Sequence, residues 1–442
     1  MRFRKWIKCN ALVSVLLAFL GMVVESSGVS RSAAHDSATL IFRSNDGGGT
    51  WTVADSGITL AHQVRVIVVD PSSSRTIYAG TNHGVFKSTD SANGWSQASA
   101  GLPVLSIKSL MLDPRTPSTL YSLCGFAYFR SPGPVFKSVD GGITWNVIGS
   151  SIGNLVHGAY SLAIDPSNSS TLYAGGDSPD VSGVYKTTDG GGVWSFKGRF
   201  APSSHTVDHV AVDPNTPSTV YAAVTCCNDD IDGLYKSTDS GDTWQQLWDY
   251  ANILSIALDP NTPSTIYMVS ATDGLQKSID GGMHWTRLAF PGAESITIAP
   301  AAPSIVYAFG TNGLFKSTDG GVNWNRVALD ASISSLAFDP NDTATIYAGT
   351  TIPGPKVTGA SIIGKKLTVT GEGFDVGAKI VVRFRPDLER EEKTINDDQN
   401  PSTVLIAPKA GKQIARGQSV DLIVIEPDSV ESSPFPFTRP VE

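Results

Sequence analysis

Short apolar runs separated by clusters of Gly, Asp, Asn and Pro recur along most of the chain, and no stretch after the first thirty-odd residues carries a helical period. Four kinds of run follow one another in a fixed order. One precedes an Asp-Pro turn, as in SSLAFD. One contains a tyrosine, as in TIYAG. One reads GLFKS, and one starts at a tryptophan. Each has strand length and strand composition, and the turn residues between them predict antiparallel connections.

The order repeats. An Asp falls at Asp46, Asp90, Asp140, Asp189, Asp239, Asp280 and Asp319, every 39–50 residues. A Trp follows five residues later each time: Trp51, Trp95, Trp145, Trp194, Trp244, Trp285 and Trp324. A second motif alternates with the first, as in IDPSNSSTLYAG from Ile164 and FDPNDTATIYAG from Phe338. Its tyrosines are Tyr78, Tyr121, Tyr173, Tyr221, Tyr267, Tyr307 and Tyr347. Four antiparallel strands at this period make a propeller blade, whereas a solenoid needs shorter units or helices. The first copy starts at a third strand and the last stops after a second strand. Each end therefore completes the other's blade, removing the open edges. The predicted fold is all-β: a seven-bladed β-propeller over residues 36–352, closed by N- and C-terminal half-blades.

The repeated string, FKSTDGGVNW from Phe315, sits in the predicted hairpin between third and fourth strands. Its Asp can accept backbone N–H bonds from its own turn, its glycines permit positive φ, and its Trp can pack between blades. The presence of one in every blade argues for turn chemistry rather than a site. The string resembles the Asp-box of BNR-repeat proteins, a group that includes sialidases, xyloglucan-cleaving glycosidases, the sortilin propeller and photosystem II assembly factors. The resemblance implies a structural role for the seven aspartates, on the face away from any binding site. Two family activities meet obstacles. No three arginines match a sialidase triad, and sialidase rings have six blades. The xyloglucan enzymes of the group clamp a chain between two rings, and this sequence contains one.

Function is expected where the repetition fails. The connection from second to third strand lengthens in three consecutive blades, reading CGFAYFRSPGP, GGDSPDVSG and TCCNDDIDG. Insertions in a repeat array map to the binding face. These loops offer an aromatic-basic cluster, Phe126, Tyr128, Phe129 and Arg130, and an acidic set, Asp177, Asp180, Asp229, Asp230 and Asp232. His62, His83, His157 and His205 belong to the same face. Such groups suit a glycan or protein ligand. Ca2+ is a further option, although DDID lacks the ordered spacing of a calcium loop. No other cofactor or metal is implied. Cys124, Cys226 and Cys227 leave three readings open: one bridge from Cys124 to the adjacent pair, a bridge within the pair, or free thiols.

Composition narrows the remaining classes. Charged residues are 17% and net charge is -8, without a basic tract beyond the N-terminus, which disfavours nucleic acid as a partner. Residues 1–34 read as a signal peptide, with Arg2, Arg4, Lys5 and Lys8 before an apolar run that is short for a membrane span. A secreted or periplasmic bacterial protein is expected, with no membrane span. Residues 353–356 read as a linker. Residues 357–442 read as a small β-sandwich, where LTVTGEGFDVGAKI resembles the IPT/TIG immunoglobulin-like module. These features favour an exported, non-catalytic binding or scaffold protein. The alternative is a glycoside hydrolase or other carbohydrate-active enzyme, with paired carboxylates on the loop-rich face.

Overall fold

In the computed structural model the described residues are 40–58, 63–102, 106–125, 134–148, 158–177, 182–201, 206–225, 231–249, 252–290, 292–351, 356–372, 378–384, 388–392, 394–396, 404–425, 432 and 434–440. The signal-peptide reading of 1–34 and residues 353–355 of the linker reading lie outside the described residues, while Lys356, read as the linker's last residue, already opens a strand. Residues 40–351 form seven four-stranded antiparallel sheets. Blade 1 runs Val64–Asp70, Ser73–Thr81, Gly84–Ser88 and Ser96–Gln97, from the inside of the ring outward. The first strand of each blade lies innermost. Val64–Asp70 packs beside the corresponding strands Ser106–Leu112 of blade 2 and Ile333–Phe338 of blade 7.

Blade 7 closes the ring as expected. Its first two strands, Ile333–Phe338 and Ile346–Thr350, come from the end of the repeat region. Its outer two, Ile41–Ser44 and Thr52–Val53, come from the start. Ile41 pairs with Gly349 and Ser44 with Ile346. The junction is held further by Leu40, whose N–H donates to the Asp55 carboxylate at 2.7 Å and whose carbonyl accepts the N–H of Thr350 at 2.9 Å. No hydrogen-bonding edge is left at this seam.

The core is distributed between blades, because each sheet buries both faces against its neighbours. The largest fully buried side chains include all seven repeat tyrosines. Three of their hydroxyls are paired across a blade boundary. Tyr78 donates to the carbonyl of Gly141, Tyr267 to Gly320 and Tyr307 to Gly47, each in the Asp-box turn of the next blade. Burial pushes the Tyr78, Tyr121, Tyr221 and Tyr307 phenols up to about 12.

Beyond residue 356 two further four-stranded sheets face one another. One contains Lys356–Ile363, Lys366–Glu372, Val404–Ala407 and Ile395–Asn396. The other contains Leu388–Glu392, Lys379–Phe384, Ser419–Ile425 and Phe435–Thr438. Leu367, Val369 and Leu405 from the first share a core with Ile380, Val382 and Leu422 from the second, which makes a β-sandwich. The charged run LEREE occupies an edge strand, where charge discourages pairing with another chain.

Candidate functional site

The two ends of the ring differ in chemistry, and the Asp-box end is fully described. In the third copy, Ser138 Oγ is buried, donates to Asp140 and accepts the N–H of Gly142 at 2.9 Å. Asp140 accepts the N–H and hydroxyl of Thr144. The same network recurs at Asp46, Asp239 and, with Asn323 replacing Thr, at Asp319. His284 replaces the Thr in the sixth copy and puts Nδ1 2.6 Å from Asp280. Fixed donors hold these carboxylates below their ordinary value of 3.8, at about 2 for Asp46, Asp140, Asp239 and Asp319. A carboxylate so strongly committed to its ionised form and its own turn is a poor proton donor.

The motif also joins blades, through residues that the sequence pattern left without a role. The lysine before the capping Ser reaches the carbonyl of the glycine after the next blade's Asp. Lys87 donates to Gly141 at 2.9 Å, Lys137 to Gly190 at 3.0 Å, Lys236 to Gly281 at 3.1 Å, Lys277 to Gly320 at 2.8 Å and Lys316 to Gly47 at 2.7 Å. Each ammonium also lies over the repeat tyrosine of its own blade, 5.0–5.5 Å from the ring centre. In the first copy Arg43 takes the lysine's place and donates to the carbonyl of Ser91. The tryptophan N–H groups at Trp95, Trp145 and Trp244 likewise reach back to carbonyls of the preceding blade, at Ala54, Ala98 and Lys197.

The opposite end carries the connections from second to third strand. In blade 1 this is the tight turn at Asn82 and His83, between the paired residues Thr81 and Gly84. In blades 2, 3 and 4 most of the corresponding connection, residues 126–133, 178–181 and 226–230, lies outside the described residues. Phe126, Tyr128, Phe129, Arg130, Asp180, Asp229 and Asp230 lie outside the described residues, as do His62, His157 and His205. Asp177 ends the second strand of blade 3 and pairs with Ser182. Asp232, next to the third strand of blade 4, is buried at 2% exposure, and its carbonyl accepts from Gln246. Among the described residues no group of three or more His, Cys, Asp or Glu could hold a metal ion.

Cys124 ends up as a buried free thiol beside Ser122, which leaves out a bridge from Cys124 to the adjacent pair. Burial pushes its thiol up to about 11, so it is unreactive at neutral pH. Cys226 and Cys227 lie outside the described residues.

Similarity to known proteins bears on what the ring does. The chain is 28% identical over 148 residues to a xyloglucanase of Hypocrea jecorina, a stretch covering 30% of this chain and 17% of that enzyme. Among solved structures it is similar to a Xanthomonas campestris GH74 xyloglucanase. The TM-score there is 0.55 at 16% identity, over 86% of this chain and 73% of that one. It is also similar to a Niastella koreensis GH74 enzyme, with a TM-score of 0.54 at 18% identity, over 87% of this chain and 67% of that one. No protein-family model matches the chain. The matched stretch spans under a fifth of the length of the curated relative.

These likenesses correct three expectations. The repeat's resemblance led to a BNR/Asp-box family of sialidase-, sortilin- or photosystem-factor-like propellers, whereas the curated relative is a xyloglucanase and the similar folds are those of GH74 enzymes. The likeness to a xyloglucanase runs against the reading as a non-catalytic binding or scaffold protein and favours its alternative. The reading against enzymatic activity meets the same objection. The physical reason is that the Asp-box is turn and inter-blade chemistry. It specifies how blades are built, so it separates poorly among propellers of different function.

Proposed function

We propose that this protein is an exported glycoside hydrolase acting on a xyloglucan-type polysaccharide, with the loop-rich end of the ring as its sugar-binding surface. The observation that carries the reading is the 148-residue likeness to a xyloglucanase. The commitment of the Asp-box carboxylates to their turns supports placing the chemistry at the other end. There the aromatic group Phe126, Tyr128 and Phe129 suits stacking on sugar rings, with Arg130 for hydroxyl contacts. Hydrolysis needs two carboxyl groups across the glycosidic bond, one to protonate the leaving oxygen and one to activate water or attack the anomeric carbon. Asp177, Asp180, Asp229 and Asp230 are the candidates from the long connections. Asp232, being buried, is better suited to positioning its neighbours. Export follows from the basic-then-apolar N-terminus.

The test is release of reducing ends from tamarind-type xyloglucan by the purified full chain. It should be compared with Asp177→Asn, Asp180→Asn, Asp229→Asn and Asp230→Asn. Loss of an essential acid or base should lower kcat by roughly 10²–10⁴-fold, while the melting temperature stays near the parent's. Absence of release from xyloglucan and other β-glucans by the parent protein overturns the reading.

A further inference from the structure

The innermost strands carry an irregularity that the repeat pattern hides. In six of the seven blades the pairing of first and second strands skips one residue near the loop-rich end. In blade 1 Val64 pairs with Thr81 and Val66 with Gly80, so Arg65 is the extra residue. In blade 2 Ile107 pairs with Cys124 and Ser109 with Leu123, so Lys108 is the extra residue. A bulge of this kind bends the strand and re-aims a side chain. Because these strands border the central channel, the bulges form a tier of equivalent positions at its loop-rich mouth.

The bulge positions are equivalent in backbone and unlike in chemistry. Blades 3, 4, 5 and 7 place Tyr160, Asp208, Leu254 and Ser334 there. Arg65 and Lys108 fall on adjacent blades whose inner strands pack side by side. Neither has a carboxylate partner among the described residues, and Arg65 Nε is buried without a hydrogen-bond partner. Three of the described acids at this end are bonded elsewhere. Asp208 accepts from Thr225 in its own blade, Glu294 accepts the Thr311 hydroxyl at 2.6 Å, and Asp55 accepts from Leu40. Lost hydration lowers both basic pKa values, and for Lys108 the charge of Arg65 adds to it.

We propose that Arg65 and Lys108 form an anion-binding site at the loop-rich mouth of the central channel, which takes a compact oxyanion such as a carboxylate or a phosphate group. Two neighbouring cations repel, and a buried guanidinium N–H without an acceptor is costly. An oxyanion supplies both the missing charge and the missing acceptor. The oxyanion's source is either an acidic sugar unit or a phosphate, and binding measurements separate the two. The site stands independently of hydrolysis, because neither residue is a candidate acid or base.

The experiment is isothermal titration of the full chain with D-glucuronate, inorganic phosphate and, as a neutral control, D-glucose. Variants Arg65→Gln and Lys108→Gln are tested beside Lys366→Gln, an exposed lysine of the β-sandwich. Glucuronate or phosphate should bind, more weakly with added salt, and either site variant should weaken binding about tenfold or more. Lys108 is exposed, so Lys108→Gln keeps the test valid should Arg65→Gln fail to fold. Preference for glucuronate identifies an acidic sugar, and preference for phosphate a phosphate group. Binding of neither anion, or binding unchanged in Lys108→Gln, overturns the proposal.

Discussion

At the scale of single residues, most of the conspicuous chemistry is structural. Ser138 shows how tightly the turn is wired, since one buried hydroxyl serves both the Asp140 carboxylate and the Gly142 N–H. Ser138→Ala leaves that N–H without its acceptor and should cost about 1–3 kcal/mol, measured by denaturant unfolding. The carboxylates make stability depend on pH in a defined direction. The Asp46 pKa is held down to about 2 chiefly by the Thr50 N–H, that of Asp140 by the Thr144 hydroxyl, that of Asp239 by the Thr243 hydroxyl and that of Asp319 by the Asn323 N–H. Depressed folded values mean that the unfolded chain binds more protons below its ordinary value of 3.8. Their stabilising contribution is therefore complete above that pH and disappears as pH falls through about 2. A melting temperature that stays flat from pH 5 to about pH 2 would contradict this. The aspartates and glycines of the turn were legible as such, because their local chemistry repeats within a few residues. The lysine and tyrosine stitches were not, because their acceptors lie in the next blade, as with Lys277 and Tyr267 at the carbonyl of Gly320.

At the scale of elements, ring closure decides whether the fold has edges. Ile41–Ser44 supplies the third strand of blade 7, with fully buried Ile41 pairing with Gly349. Removal of residues through Val53 should expose one edge of Ile346–Thr350, which keeps only its pairing with Ile333–Phe338, lower the melting temperature and promote association seen by size-exclusion chromatography. A milder change, Ile41→Ala, should cost about 2–5 kcal/mol by the same unfolding measurement. The closure was readable from the sequence, because the first copy lacks its first two strands and the last copy lacks its last two. The bulges in the inner strands were not readable. A one-residue slip between paired strands depends on both strands and leaves no mark in the spacing of either.

At the scale of the whole molecule, the ring separates a repetitive end from an irregular one. The repetitive end holds the blades together, and the irregular end is where hydrolysis of a xyloglucan-type chain and anion capture are proposed. The sequence by itself determined blade number, closure and the β-sandwich, since all three follow from local patterns counted along the chain. It did not determine the functional class. Its most specific motif belongs to the architecture, and the likeness to a xyloglucanase over 148 residues redirected that reading. Only the tertiary structure decided that the motif's lysines and tyrosines bind the neighbouring blade, that Cys124 stays a buried free thiol, and that Arg65 and Lys108 fall at equivalent bulges of adjacent inner strands. Forty-three positions separate those two cations in the chain. They become neighbours because the propeller sets equivalent positions of successive blades side by side around one axis.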